Sequence, residues 1–287
     1  MSKYYVLYNP LAGNGTGEKT AQKLKEIMSG DELEYRNILD IKDYNGFFAE
    51  AGNTPLIIVG GDGTLNKFVN MTDRMKYENE IYYYPAGCCN DFIREVGMPE
   101  DGKPALVTKY LKDLPILSVN GELYRFLNGV GFGADSVGYA KGIKKKEKSG
   151  KTPNFKALEK NAIFSYKPQN IKVTIEGFSY EYKKVWYAPT VFGRYYGGGL
   201  SPAMMQDRMN PTHSMALTLV YGGGRFKTYK QLSKIFKGRH ESEKVKKLIQ
   251  SCDGRKLIVE FSKPVTLQYD GELIPNVTKY AVRAFNI

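Results

Sequence analysis

The stretch at residues 60–66, Gly-Gly-Asp-Gly-Thr-Leu-Asn, holds the residue types best suited to chemistry in this chain. It follows directly on the apolar run at residues 56–59, and a helical pattern begins immediately after it. A strand, a glycine turn and a helix in this order present backbone N–H groups and the positive end of a helix to a phosphate. Asp62 would repel that anion unless a metal ion or a hydroxyl group is also present. The alternative is a plain connection between strand and helix, since one glycine-rich turn is a weak signal.

Two further strands end in loops of the same kind. The aromatic strand at residues 4–8 runs into a loop with three glycines, and the strand at residues 81–84 runs into a loop of small residues. In an open α/β sheet such loops lie at one edge, at the carboxyl ends of the strands. We therefore expect residues 9–16, 60–66 and 87–91 to meet in one crevice that binds a phosphate or a nucleotide. The first loop is not a Walker A loop, because no Gly-Lys-Ser/Thr closes it.

The pattern of elements changes after residue 117. Before it, strands alternate with helices, whereas the rest of the chain consists mainly of short strands with alternating apolar and polar residues, as in half-buried antiparallel sheets. Helical segments interrupt these strands at residues 140–165 and 230–236. With 287 residues in total, the chain is long enough for one large or two ordinary domains. The pattern predicts an α/β domain followed by a β-rich domain.

Composition limits the class of protein and its partners. The net charge of +12 favours nucleic acid, an anionic membrane face or a phosphorylated substrate. No run of apolar residues is long enough to span a membrane, and the first residues do not form a signal peptide. Three cysteines, two of them adjacent, indicate a reduced, cytoplasmic chain, and two histidines give no zinc pattern. A motif that reads nucleic acid is absent from the sequence, so no nucleic acid partner is expected.

Three stretches, taken in this order, resemble the signatures of the diacylglycerol kinase catalytic family, which includes bacterial lipid kinases and the sphingosine and ceramide kinases. They are Asn9-Pro10-x-x-Gly13, residues 60–66, and Pro85-x-Gly87-x-x-Asn90-Asp91-Phe92. Later matches lie at residues 127–134, 197–202 and 268–272. The resemblance therefore covers nearly the whole chain.

The resemblance implies an α/β plus β fold. Its N-terminal part would be a Rossmann-like α/β nucleotide domain, similar to that of NAD kinases, comprising residues 1–117 plus about 278–287. Residues 118–277 would form an antiparallel β-sandwich that binds the lipid, and the strand at 280–285 would return to the first domain. The active site would lie in the cleft between the domains, a common location for ligand sites.

The resemblance also assigns nucleotide-binding roles. The residues concerned are Asn9, Pro10, Gly13, Gly60, Gly61, Asp62, Gly63, Thr64, Asn66, Gly87, Cys88, Asn90 and Asp91. Gly61, Gly63 and Thr64 would hold the phosphates of ATP through N–H groups and a hydroxyl. Asp62 would organise the loop and the waters of Mg²⁺, which usually keeps several waters when it binds proteins. ATP and Mg²⁺ are the expected cofactors.

Asp270 and Glu272 flank Gly271 near the end of the chain. Strand alternation would point both carboxylates to the same side, and a kinase that acts on an alcohol needs a base to accept the hydroxyl proton. Taken alone, the residues favour an ordinary Asp-Gly hairpin turn over a catalytic pair. By resemblance, the pair corresponds to the catalytic Asp-Gly-Glu of the family, without a decision as to which carboxylate is the base.

The chain departs from the family pattern at two places. Cys88 and Cys89 stand where Thr-Gly is common, so that a thiol, a poorer hydrogen-bonding group, replaces a hydroxyl. Residues 212–214, Thr-His-Ser, replace an Asp-Asp-Gly whose acids help to bind a structural magnesium in many bacterial members. We expect that site to be lost or rebuilt. Asp207 is the nearby candidate ligand, although a single loop aspartate is more often solvated.

Lysines cluster at residues 141–151 and 227–247. Each lysine near an anionic lipid surface contributes about 1 kcal/mol to binding, which favours reversible docking on a membrane. The sequence thus predicts an ATP-dependent lipid kinase that phosphorylates the hydroxyl of diacylglycerol or a related lipid alcohol, with a homodimer as a further expectation. The alternatives are an NAD kinase-like enzyme and a lipid- or nucleotide-binding protein with impaired catalysis.

Overall fold

A computed structural model describes residues 1–151, 153–235 and 249–285. The chain divides into two units, Met1–Lys112 and Asp113–Ile287. The part of the lysine cluster beyond residue 235, including Arg239, lies outside the described residues.

The N-terminal unit is built on a five-stranded sheet in the order β2-β1-β3-β4-β5, parallel except for β5. Its strands are β1 (Lys3–Tyr8), β2 (Glu32–Asn37), β3 (Leu56–Gly60), β4 (Ile81–Pro85) and β5 (Ala105–Leu106). The central strand β3 is buried at all five positions, which explains its unbroken apolar sequence. Side chains of β1, β3 and the helices after β1 pack into one buried cluster that contains Val6, Leu24 and Ile57.

Helices connect these strands. They are α1 (Ala12–Gly15), α2 (Gly17–Gln22), α3 (Leu24–Ile27), α4 (Tyr44–Ala51), α5 (Asp62–Thr72) and α6 (Asp91–Val96), with a 3₁₀ helix at Thr108–Tyr110. The short α1 is irregular, because Gly13 and Asn14 have left-handed φ angles of 57° and 63°. The predicted α/β N-terminal domain is confirmed, and each of its three predicted loops directly follows a strand.

The C-terminal unit contains a ten-stranded, wholly antiparallel sheet. Its elements are β6 (Ile116–Val119), β7 (Glu122–Arg125), β8 (Gly129–Phe132), α7 (Ala134–Ser149), α8 (Phe155–Ala162), β9 (Gln169–Ile175), β10 (Phe178–Tyr187), β11 (Thr190–Val191), β12 (Met215–Tyr221), α9 (Arg225–Ile235), β13 (Ile249–Gly254), β14 (Lys256–Tyr269) and β15 (Glu272–Arg283). The predicted antiparallel domain is confirmed. Because β9 pairs with β14 as well as with β10, the sheet closes on itself.

The last strand pairs within the C-terminal unit. β15 runs antiparallel to β14 and, at Tyr280–Arg283, to β6. The structure therefore differs from the expected division of the chain, in which residues 280–285 return to the first domain. The reason is local: a two-residue turn joins β14 to β15, and so short a turn obliges the second strand to pair with the first.

The lysine run at residues 141–151 begins on a helix, since α7 extends to Ser149. Among the described residues, no helix combines the length and apolar character needed to cross a membrane.

Asp135, in the first turn of α7, is a fully buried carboxylate. The hydroxyl of Tyr196 donates a hydrogen bond to its Oδ2 at 2.9 Å. Burial raises the pKa of Asp135 from 3.8 to about 6, and the hydrogen bonds it accepts lower the pKa only in part. The native state thus holds this proton over a pH range in which the unfolded chain has already lost it.

Asp135→Asn is expected to remove a pH dependence of stability. Asp135 contributes stability that is fully present below about pH 4 and lost as the pH rises through about 6, a change on the order of 3 kcal/mol. Asparagine keeps an acceptor for Tyr196 but cannot ionise. The free energy of unfolding of the variant should therefore rise relative to that of the natural protein as the pH rises. Urea unfolding followed by the fluorescence of Trp186, the single tryptophan and a residue of this unit, measures the difference. If the free energies of unfolding of the two proteins differ by the same amount at pH 4.5 and 7.5, the raised pKa of Asp135 is contradicted.

Candidate active site

The N-terminus of α5 is open to an incoming anion. β3 ends at Gly60, and Gly61 is the N-cap residue, which provides no side-chain cap. Gly63, in the first turn, is exposed. Apart from its chain neighbours and the backbone of its own helix, no described atom lies within 4 Å of the position that a Cβ on it would occupy. An uncapped N-terminus of an 11-residue helix offers backbone N–H groups and a partial positive charge. These are the features that bind phosphate at helix ends.

The three predicted loops approach one another at their glycines. A Cβ on Gly87 would lie 2.5 Å from the Cα of Gly61, and a Cβ on Gly13 would lie 2.6 Å from the carbonyl oxygen of Ala86. Real Cβ atoms essentially never come this close to backbone atoms. Glycine is therefore required at both positions by the contact between loops, and at Gly13 also by its φ of 57°. The structure brings the loops after β1, β3 and β4 together, as the topology predicts.

Asp62 links the turn after β3 to the helix after β4. Its Oδ2 accepts a hydrogen bond from the N–H of Asp91 at 2.8 Å, and its Oδ1 accepts one from the N–H of Phe92 at 3.1 Å. These are the first two residues of α6, so Asp62 caps that helix from a distance of 29 residues in sequence. The residue as a whole is half-buried.

Two asparagines and a tyrosine hold the same loops. The Asn9 amide donates to the Thr64 hydroxyl at 2.9 Å, which joins the first loop to α5. The Asn90 side chain closes its own loop by accepting from the Gly87 N–H and donating to the Gly87 carbonyl. The buried Tyr83 hydroxyl donates to the Gly60 carbonyl at 2.9 Å. Burial, and secondarily the charge of Asp62, raises the pKa of Tyr83 well above its usual value, so this hydroxyl stays protonated.

The remaining predicted nucleotide residues have more varied environments. Pro10 is half-buried in the first loop, and Asp91 is buried at the start of α6. Asn66 is 3% exposed, and its side-chain oxygen accepts a hydrogen bond from Asn70 at 3.1 Å within α5. Asn66 therefore lies inside the N-terminal unit, where its side chain is bonded within α5.

Cys88 and Cys89 are reduced, with their sulfur atoms 3.6 Å apart. The hydrogen bond to Cys88, burial, and the charges of Asp91 and Asp62 together raise the pKa of the Cys89 thiol. The two aspartates are the smallest of these causes.

The Asp270–Glu272 segment is a hairpin turn. Tyr269 pairs with Glu272, and Asp270 and Gly271 between them have φ angles of 41° and 94°. The Asp270 carboxylate accepts hydrogen bonds from the N–H groups of Leu127, Asn128 and Gly129 and is 7% exposed. Glu272, in contrast, is exposed. The prediction that both carboxylates point to the same side is wrong, because the turn breaks the alternation of the strand.

Arg208 was not found from the sequence. It is 3% exposed and donates to the Leu127 carbonyl at 3.3 Å and to the Asn128 side-chain oxygen at 3.1 Å. The segment at residues 127–129 is thus held by a buried arginine as well as by Asp270. No local pattern marks Arg208, since its partners lie about 80 residues earlier in the chain.

The candidate metal ligand Asp207 lies in an exposed turn. Its Oδ1 accepts from the N–H of Met209 at 2.9 Å. Asn210 joins this turn to residues 212–214, since its side-chain oxygen accepts from the Thr212 hydroxyl and from the Ser214 N–H. Within the described ranges, no group of three or more His, Cys, Asp or Glu residues could hold a metal ion. Hydrogen bonds between uncharged groups therefore hold this segment together.

Comparisons with known proteins agree with these sequence motifs. Residues 3–114 match the diacylglycerol kinase catalytic domain. YtlR of Bacillus subtilis, named a lipid kinase on a provisional basis, is 23% identical over 245 residues, which cover 76% of this chain and 77% of YtlR. A Bacillus subtilis protein named diacylglycerol kinase is 26% identical over 140 residues, 46% of each chain.

A solved structure shows the same fold. The crystal structure described as a diacylglycerol kinase from Bacillus anthracis superimposes with a TM-score of 0.66 at 18% identity. The superposition covers 99% of this chain and 93% of that one. At this identity the likeness shows the fold alone, and it extends over both units.

Proposed function

We propose, on the premise that residues 3–114 belong to the diacylglycerol kinase catalytic domain family, that this protein is an ATP-dependent lipid kinase. It would transfer the γ-phosphate of ATP to the hydroxyl of diacylglycerol or a related lipid alcohol. The observation that carries the proposal is the open N-terminus of α5, at which three glycine-bearing loops meet. Phosphoryl transfer depends mainly on positioning and charge stabilisation, which this arrangement can supply.

The donor site would use backbone groups more than side chains. The N–H groups of the first turn of α5, around Gly61 and Gly63, would bind the phosphates of ATP, and Thr64 would add its hydroxyl. Asn9 holds Thr64 in place, and Gly87 and Gly13 permit the loops to approach closely enough. Because these contacts already exist without a ligand, little rearrangement would be needed on binding.

Mg²⁺ fits this site as an ion that enters with ATP. Asp62 is the candidate to orient its waters, because it is half-buried in the turn after β3 and both of its carboxylate oxygens are held in place by N–H groups of α6. Asp62 and Asp91 are neighbours, so a cation beside the phosphates would offset the repulsion between these carboxylates and the anion. When bound, the ion would neutralise charge on the transferred phosphoryl group.

We assign proton acceptance to Glu272 and a positioning role to Asp270. The lipid hydroxyl must lose its proton as it attacks, and a carboxylate in reach can accept it. Asp270 already accepts three backbone hydrogen bonds and is buried, whereas Glu272 is exposed immediately after the turn that Asp270 stabilises. Reversible binding to an anionic membrane surface is part of the proposal, since the acceptor is a lipid. A cytoplasmic location and a homodimer stay predictions.

A competition between acceptors tests the proposed function. The protein is incubated with γ-labelled ATP, Mg²⁺, NAD and a total lipid extract in mixed micelles, and the label is followed into lipid and into NAD. We expect labelled phosphate on a lipid and none on NAD. Label on NAD alone would replace the proposal with an NAD kinase. Tight ATP binding without transfer to either acceptor would replace it with a binding protein.

A further inference from the structure

Three aromatic rings, two of them exposed, form a cluster on the C-terminal unit. Phe164 follows α8, and Phe226 and Tyr229 lie on α9. The ring centroid of Phe164 is 5.8 Å from that of Phe226 and 5.3 Å from that of Tyr229. Phe226 is 76% exposed and Phe164 is 46% exposed. We call Phe164, Phe226 and Tyr229 the aromatic patch.

The helices that carry the aromatic patch are fixed to the core. Ile163, next to Phe164, is completely buried, as are Leu232 and Ile235 on the inner side of α9. These residues belong to one hydrophobic cluster that also includes Trp186, and Tyr229 packs against it. The exposed rings are therefore carried by helices that are anchored in the core.

Cationic side chains surround the aromatic patch. The Lys160 ammonium lies 4.1 Å from the Tyr229 ring centroid, and the Lys141 ammonium donates to the hydroxyl of Ser165, next to Phe164, at 2.6 Å. The other basic residues of this surface lie on α9, which carries no acidic residue: Arg225, Lys227, Lys230 and Lys234. Lys227 and Lys230 are exposed. The surface thus combines protruding rings with positive charge.

We propose that the aromatic patch and its basic rim form the surface by which the protein docks on an anionic lipid bilayer. Aromatic side chains are favoured at the membrane interface, and lysine and arginine side chains bind anionic headgroups electrostatically. An anionic bilayer can bind the rings and the cationic side chains at the same time. The rings enter the boundary between headgroups and acyl chains, while the ammonium groups remain among the phosphates. The inference rests on the proposed function to the extent that a lipid acceptor brings the protein to a bilayer.

Vesicle binding without ATP or any acceptor tests this surface. Vesicles contain either phosphatidylcholine alone or equal parts of phosphatidylcholine and phosphatidylglycerol, and bound protein is measured by sedimentation. We expect binding to the anionic vesicles, with weaker binding as salt is added. Phe164→Ala/Phe226→Ala should weaken it about tenfold or more. Lys227→Gln/Lys230→Gln should weaken it by about ten- to thirtyfold.

Phe178→Ala is the matched control. Phe178 is 71% exposed and lies at the start of β10. Eight residues of strand, about 25 Å if fully extended, separate it from Trp186, which belongs to the cluster beneath the aromatic patch. This variant should bind like the natural protein. Equal losses in the control and in the aromatic patch variant, equal binding to neutral vesicles, or no binding to either vesicle would overturn the proposal.

Analytical ultracentrifugation of the same variants tests whether the aromatic patch instead joins two copies of the chain. A dimer that the aromatic patch variant abolishes would make this surface a contact between copies and would overturn the proposal.

The two proposals fail separately. A protein that binds anionic vesicles through the aromatic patch but phosphorylates no lipid would retain the docking surface and lose the kinase assignment. A protein that phosphorylates a short-chain lipid alcohol in detergent, with vesicle binding unaffected in Phe164→Ala/Phe226→Ala, would retain the kinase assignment and lose this surface.

Discussion

Glu272→Gln is expected to lower kcat for phosphoryl transfer to a lipid alcohol by about 10²- to 10⁴-fold, the usual contribution of a general base. Glutamine keeps the size of the side chain but cannot accept the hydroxyl proton. Because Glu272 is exposed, stability should be unchanged, and so should the Kd for MgATP, since the donor residues belong to the other unit. Steady-state kinetics, binding calorimetry and thermal unfolding measure the three quantities.

The chain contains a close control for this substitution. Glu122 also follows a two-residue turn with positive φ angles, Asn120-Gly121, and it is exposed at the first position of β7. Both glutamates stand in the sequence Gly-Glu-Leu. Glu122→Gln should leave kcat unchanged, whereas a Glu272→Gln enzyme as fast as the natural one would refute the assignment of the base.

Asp270→Asn separates positioning from catalysis. An asparagine has one acceptor oxygen, and its NH₂ group would face a backbone N–H of residues 127–129. Leaving a buried donor unsatisfied costs about 1–3 kcal/mol, so this variant should unfold earlier when followed by Trp186 fluorescence. Glu272→Gln should show no such shift, which distinguishes the two carboxylates.

Gly87→Ala is expected to weaken MgATP binding by about 100-fold, the effect of misplacing a site by about an ångström. The new methyl group would lie 2.5 Å from the Gly61 Cα and 2.8 Å from the Asn90 side-chain oxygen. The methyl group cannot be accommodated by a side-chain rotation, because one neighbour is backbone and the other is an oxygen held in the hydrogen bond that closes the loop. The loop after β4 must therefore move away from the turn that precedes α5.

Gly30→Ala serves as the control for Gly87→Ala. Gly30 is exposed in the same unit, and its φ is not positive. Apart from its chain neighbours, no described atom lies within 4 Å of the added Cβ. Calorimetry should give this variant the natural Kd. If Gly87→Ala also binds MgATP normally, the contact between the loops after β3 and β4 has no part in the donor site.

The sequence predicted the N-terminal unit well because its signals are local. Apolar runs followed at once by small residues identify β1, β3 and β4 and the loops after them, and the rules for parallel sheets then bring those loops to one edge. What could not be predicted is which side chains connect the loops. Asp62 reaches α6, and Tyr83 reaches Gly60, through bonds that join distant residues and leave no spacing pattern.

The C-terminal unit shows where pattern-based prediction ends. Antiparallel strands were recognisable from alternation, yet the closure of the sheet by β9 and β14 depends on pairing between residues more than 80 positions apart. The same limit applies to Asp270. Alternation places it beside Glu272, whereas the Asp-Gly turn directs it inward to the backbone at residues 127–129.

The most direct test of the account is MgATP binding to Gly63→Asp compared with Gly63→Asn. An aspartate in the first turn of α5 should stabilise the helix by about 0.3–1 kcal/mol relative to asparagine, because it complements the helix dipole. If the phosphates of ATP bind at this end, the same charge must repel them. We predict that Gly63→Asp unfolds at a higher temperature than Gly63→Asn and binds MgATP at least about tenfold more weakly. Equal affinity of the two variants would show that the phosphates bind elsewhere and would contradict the account.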